Sequence, residues 1–153
     1  MAFPSLFQKA ESDKMAARME QLNSDTKPKW GKMTIGQMMA HCCVPYEYVY
    51  AEDKYAKPGK LKQWILSLFL KGTVVGEKPY KKNSPTAPDF QQKENKDFEA
   101  EKKRLIGFIT KAQQDGVDFY MGRESNSFGA LTAEEWNNMY YKHLDHHLRQ
   151  FGV

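Results

Sequence analysis

The sequence predicts an all-α protein, a four-helix bundle with a short extra helix and long loops, and three observations carry that prediction. Two capping boxes, Thr34 with Gln37 and Thr132 with Glu135, place a hydroxyl and an amide or carboxylate three residues apart at the head of an apolar-periodic run. Four stretches repeat apolar residues at helical spacing. Strand-like alternation between turn signals is almost absent.

Residues from about 5 to 22 carry Leu6, Ala10, Met15, Met19 and Leu22 among Lys, Glu and Asp, the pattern of an amphipathic helix. Residues 23–31 hold Pro28, Gly31 and several polar side chains, which marks a connection, with Trp30 placed as a lid or plug. From Thr34 a second helix presents Met38, His41, Pro45 and Tyr48 on one stripe, so His41 should point inward. Pro45 has no N–H and frees the carbonyl of His41, which predicts a bend there. Residues 52–62 are polar, with a turn at Pro58 and Gly59. The run LKQWILSLFLK at 61–71 reads as a short helix lying over a pocket or making a subunit contact, and residues 72–89 as a long loop that walls off a site. Residues 90–114 present Phe98, Leu105, Phe108, Ile109 and Ala112 inward, and Asp115 with Gly116 should stop that helix. After a connection at 117–130, the last helix runs from the Thr132 cap.

A chain of 153 residues fits one domain spanning 1–153, and such a chain buries roughly two-thirds of its unfolded surface. The net charge of +4 comes from 23 basic and 19 acidic residues that are intermixed. Even the densest basic cluster, Lys102, Lys103 and Arg104, follows Glu99 and Glu101, which argues for a solvated helix and against nucleic acid. The amino terminus lacks a basic start followed by an apolar run, and the apolar cluster at 64–70 is too short to span a bilayer. A cytoplasmic protein with no membrane partner is expected. Cys42 and Cys43 are neighbours, which argues against a structural disulfide framework and for buried thiols.

The chemistry gathers in the last helix, which holds three of the four histidines, His143, His146 and His147, with Asp145 among them. Four residues make just over one turn, so His143 and His147 stack on one face as a two-pronged metal clamp. His146 is turned by about 100° from His147 and reads as a solvated cation favoured by the helix dipole. A metal site needs a third ligand, and His41 is the remaining histidine. Spacing alone also allows plain readings, a solvated H-x-x-x-H pair and a hydrogen-bonded core histidine. Trp136, Tyr140 and Gln150 or Phe151 continue the His143–His147 face, suggesting aromatic shoulders and an amide able to hold a ligand. Gln37 and Tyr48 on the second helix are further candidates to line the pocket. Three imidazoles titrating near their ordinary pKa of about 6.5 would release metal steeply on acidification, with a slope of about three. No zincin helix, phosphate-binding glycine loop or G-x-S-x-G elbow is present, and Cys42 paired with a histidine is the other nucleophile that residue types allow.

Two blocks, PKWGKMTIGQMMAHC at 28–42 and SFGALTAEEWNNMYYKHLDHHLRQFG at 127–152, resemble an uncharacterised-domain branch of the DinB-like (YfiT-like) superfamily of metalloenzymes. The resemblance implies a four-helix bundle that holds a divalent metal, nickel or zinc most often, through His41, His143 and His147. It also implies either activation of a low-molecular-weight thiol for transfer or isomerisation, or no established activity. In one respect the sequence departs from that branch: Ser125 and Asn126 stand where a histidine and a proline are expected before the Phe-Gly, so an accessory site group is missing. Two functional classes follow. One is a metal-dependent transferase or hydrolase acting with a thiol or water, and the other a noncatalytic module that binds metal or ligand, or forms a homodimer through residues 64–70.

Overall fold

Helix α2 (Ile35–Tyr50) occupies the middle of the molecule, with thirteen of its sixteen residues buried. Both arms of its capping box form: Thr34 accepts from the Gln37 N–H at 3.2 Å, and the Gln37 side chain accepts from the Thr34 N–H at 2.9 Å. The helix continues through Pro45, whose missing N–H leaves the His41 carbonyl without its helical donor. The computed structural model describes residues 3–153: α4 (Phe98–Tyr120) and α5 (Ala133–Gln150) pack on α2, α1 (Lys9–Glu20) packs on α4 and α5, and α3 (Lys60–Val75) packs on α5. A two-stranded antiparallel ribbon, β1 (Glu124–Ser125) and β2 (Gly129–Ala130), precedes α5. The protein is therefore predominantly α-helical. Among the described residues, no helix is long and apolar enough to cross a membrane.

The core forms where four stripes meet. Met15 and Met19 of α1, Met38, Met39, Cys42 and Tyr46 of α2, Leu105 and Ile109 of α4, and Trp136, Tyr140, Leu144 and Leu148 of α5 are all buried in one cluster. Both cysteines are buried free thiols, and burial pushes them up, Cys43 to about 12, which removes Cys42 and Cys43 as nucleophiles near neutral pH.

Helix α1 spans Lys9–Glu20 and so starts later than about residue 5, and three further boundaries differ from the sequence expectation. Helix α3 is longer than 61–71 because Gly72 does not stop it; it ends at Gly76, where the Lys142 ammonium donates to the Thr73 and Gly76 carbonyls, both at 2.7 Å. Its apolar residues lie largely outside the core, which it joins only through buried Val75 and the neighbouring Val74. Helix α4 begins eight residues later than residue 90, after the Asp97 carboxylate caps the Ala100 N–H. Nor does Gly116 end it: the glycine takes φ +70° and kinks the chain, which then continues helically to Tyr120. Tertiary contacts hold that last turn. Tyr50 donates to Asp115 and its hydroxyl pairs with that of Tyr120 at 2.7 Å, while Tyr120 stacks on Phe7.

Candidate metal centre

His41 from α2 and His143 and His147 from α5 converge, all three buried, with one ligating nitrogen from each within 4.8 Å of the others. Their ring centroids form a nearly equilateral triangle, 4.5, 4.8 and 4.8 Å on its sides. Helical phase brings His143 and His147 to one face, and the inward stripe of α2 delivers His41 to the same level.

The outer nitrogens set the tautomers. Phe90 offers only a carbonyl to His41 Nδ1 at 2.9 Å, so Nδ1 carries the proton and Nε2 is left bare toward the cluster. His147 Nδ1 donates to Gln150 Oε1 at 2.8 Å, and the amide is held that way round because its Nε2 donates to the Trp30 carbonyl at 2.7 Å. His147 Nε2 is therefore bare as well. His41 Nε2 and His143 Nε2 lie 2.9 Å apart, a distance at which His143 donates to His41 when no cation is present. Burial lowers all three imidazoles, His147 to about 3 and His143 well below the usual histidine range, with the neighbouring histidines adding to the effect. The sequence expectation of ordinary imidazoles is thus corrected: desolvation already removes the protons that a metal would otherwise have to displace.

The other anticipated residues have more varied places. Gln150 sits against the cluster through His147, and Gly31 makes room for it: at φ +81°, a Cβ there would come within 2.6 Å of Gln150 Nε2. Gln37, His41 and Tyr48 form a row that fastens residues 89–94 antiparallel to α2. Tyr48 donates to Asp89 at 2.9 Å, His41 to the Phe90 carbonyl, and Gln37 to the Gln92 carbonyl at 3.0 Å. Gln37 and Tyr48 thus hold the wall of the site. Trp136 and Tyr140 do not supply its aromatic shoulders. They are buried in the core, Tyr140 stacked on Tyr46 at 4.3 Å and Trp136 against Tyr120 at 5.4 Å. The reason is axial: seven residues along a helix span about 10 Å, so Trp136 shares the His143 face at a different level.

Phe90 and Tyr80 are the rings beside the imidazoles, Phe90 at 5.3 Å from His41 and 5.7 Å from His143, and Tyr80 at 6.4 Å from His143. Neither was singled out from sequence, where nothing distinguishes one loop aromatic from another. His146 lies outside the cluster, half-buried against Trp30 and Tyr80, each at 5.8 Å. Burial lowers its pKa, so it is not the solvated cation expected of it. Asp145 is engaged by Arg18 at 2.9 Å and Arg149 at 3.0 Å. Ser125 ends β1 and Asn126 follows it into the turn, their carbonyls accepting from Gln63, beside a cleft of about 220 Å³ that Tyr48 also lines.

Tetrahedral ligation at about 2.1 Å sets ligand nitrogens about 3.4 Å apart, so the 2.9 Å pair would open slightly and the widest separation in the cluster, within 4.8 Å, would close by up to about 1.4 Å to hold a cation. The molecule is thus an all-α protein with a buried three-histidine cluster able to hold a metal ion. It belongs to the DUF1569 family, proteins of unknown function, whose model matches residues 5–152. No curated protein and no solved structure matches the sequence.

Proposed function

We propose that this protein binds a divalent cation, nickel or zinc, through Nε2 of His41, His143 and His147, and acts as a metal-dependent transferase or hydrolase with a low-molecular-weight thiol or water. The single observation that carries the reading is the pair of outer hydrogen bonds, from His41 to Phe90 and from His147 to Gln150, which aim two bare nitrogens into one dry space. The resemblance to DinB-like proteins points the same way. A cation held there supplies Lewis acidity and lowers the pKa of a water or thiol beside it. The chain's own part is to orient the imidazoles, keep them neutral by burial, and exclude bulk water with Phe90 and Tyr80.

One feature favours a noncatalytic binding module instead. Among the described residues, no carboxylate joins the histidine cluster to serve as a general base. Elemental analysis of the purified protein followed by calorimetric titration of the stripped chain with nickel and zinc tests the site. Stoichiometric binding that needs all three histidines is expected, and substoichiometric or histidine-independent uptake removes the proposal. Turnover of thiols with simple electrophiles then separates enzyme from module.

A further inference from the structure

Helix α3 faces the wrong way for a monomer. Its outward side carries Leu61, Trp64, Ile65, Leu68 and Phe69, spaced i, i+3, i+4, i+7 and i+8, with exposures from 43% to 72%. The side turned toward the protein is held partly by polar contacts, Gln63 bonding to the Ser125 carbonyl and Lys71 pairing with Glu135 at 2.9 Å, and reaches the core only at Val74 and Val75. An amphipathic helix so oriented leaves uncovered the surface that burial would most stabilise.

We propose that a second copy of this chain covers it, the two α3 helices packing antiparallel about a twofold axis. At 43% to 72% exposure, these five large apolar side chains offer several hundred Å² in one stripe, the size of patch that marks an interaction site, and a standard interface buries ~800 Å² per partner. The stripe is uncharged from end to end, so it meets its own copy with no desolvated charge. Gly72 extends it, exposed and with open space where a Cβ would stand, and lets two helices approach closely. Orientation follows from charge. The exposed lysines of α3, Lys60 and Lys62, lie at its amino-terminal end, and antiparallel pairing sets them beside the partner helix's carboxyl end, where cations are favoured. Parallel pairing would set lysines against lysines. An anionic membrane is the weaker fit, because the stripe itself carries no cation along its length and Lys71 at its carboxyl end is already paired with Glu135. The interface does not depend on the histidine site.

Sedimentation equilibrium of the full chain across a micromolar concentration series tests this. The expected mass is twice the 17.7 kDa of one chain, with Leu68→Glu/Phe69→Glu reduced to one chain at every concentration and unchanged in far-ultraviolet circular dichroism. Because both positions are exposed, that variant keeps its fold. Lys60→Glu/Lys62→Glu should weaken the dimer several-fold, and a tighter dimer from that variant overturns the antiparallel arrangement. A wild-type chain monomeric throughout, or a dimer that survives the Leu68/Phe69 change, overturns the proposal. So does a monomer that sediments with anionic phospholipid vesicles, which would assign the face to a lipid surface.

Discussion

Helices α2 and α3 have the same length, sixteen residues, and both are rich in apolar side chains, yet thirteen residues of α2 are buried and one of α3. The difference lies in their neighbours. Helix α2 is flanked by α4 and α5, whose apolar stripes face it, and the loop at 88–94 closes its remaining side. Helix α3 rests on α5 and the ribbon along one side only, anchored by polar bonds from Gln63 and Lys142. Apolar content states that a face needs cover; what covers it is decided by what the rest of the chain, or another chain, brings alongside.

That contrast can be broken or sharpened by substitution. The largest effect is expected at Met39, fully buried on α2: Met39→Ala should cost ~2–5 kcal/mol in chemical denaturation, by lost transfer energy and a cavity. A cost near zero would mean that the centre of the molecule is not packed as described. Next comes the site that the burial of α2 creates. His41→Ala, His143→Ala or His147→Ala should each lower divalent-metal affinity more than about 100-fold by calorimetry, ligands mattering more than the groups that orient them. His146→Ala should leave affinity within a few-fold, and equal loss from all four would place the ligands wrongly. Gln150→Ala should cost about 10- to 100-fold, since it frees the His147 ring and its tautomer. An unchanged affinity would reduce that hydrogen bond to packing.

Acidity gives a smaller change in binding. With the imidazoles held neutral by burial, affinity should fall less than about tenfold between pH 7 and 6, rather than the steep loss expected of three solution imidazoles. The protons are felt by the fold instead. Folded pKa values below the unfolded 6.5 mean that only the unfolded chain gains protons as pH drops. The metal-free protein should therefore be fully stable above about pH 6.5 and lose stability progressively toward pH 3, visible as a falling melting temperature. A melting temperature flat from pH 7 to 4 would contradict the burial of the cluster. The smallest effect belongs to α3. In protein dilute enough to be monomeric, Leu68→Ala should change stability by no more than ~0.5 kcal/mol, and a larger cost there would mean that α3 packs against its own chain after all.

Local signals were readable wherever the chemistry is local. Both capping boxes form with the residues named, because a hydroxyl and an amide three positions apart can satisfy each other within one turn. The end of α3 and the start of α4 were misplaced because distant residues set them: Lys142 holds the last carbonyls of α3, and residues 89–94 bond to α2 instead of joining α4. Likewise Gly116 should have been a stop, but Tyr50 and Tyr120 hold another turn beyond it.

What the sequence determined by itself was the helical class, the alignment of His143 with His147, and the inward stripe that carries His41. All three are consequences of a 3.6-residue period and of where apolar side chains recur along it. Only the tertiary structure decided that residues 102 positions apart meet with their Nε2 atoms at 2.9 Å. It also decided that Phe90 and Gln150 select the tautomers, and that rings from the loop at 80–90, not Trp136 and Tyr140, stand beside the imidazoles. Periodicity reports the direction in which a side chain leaves its own helix; the level at which it meets another element, and the depth of burial that keeps it neutral, depend on how separate segments stack.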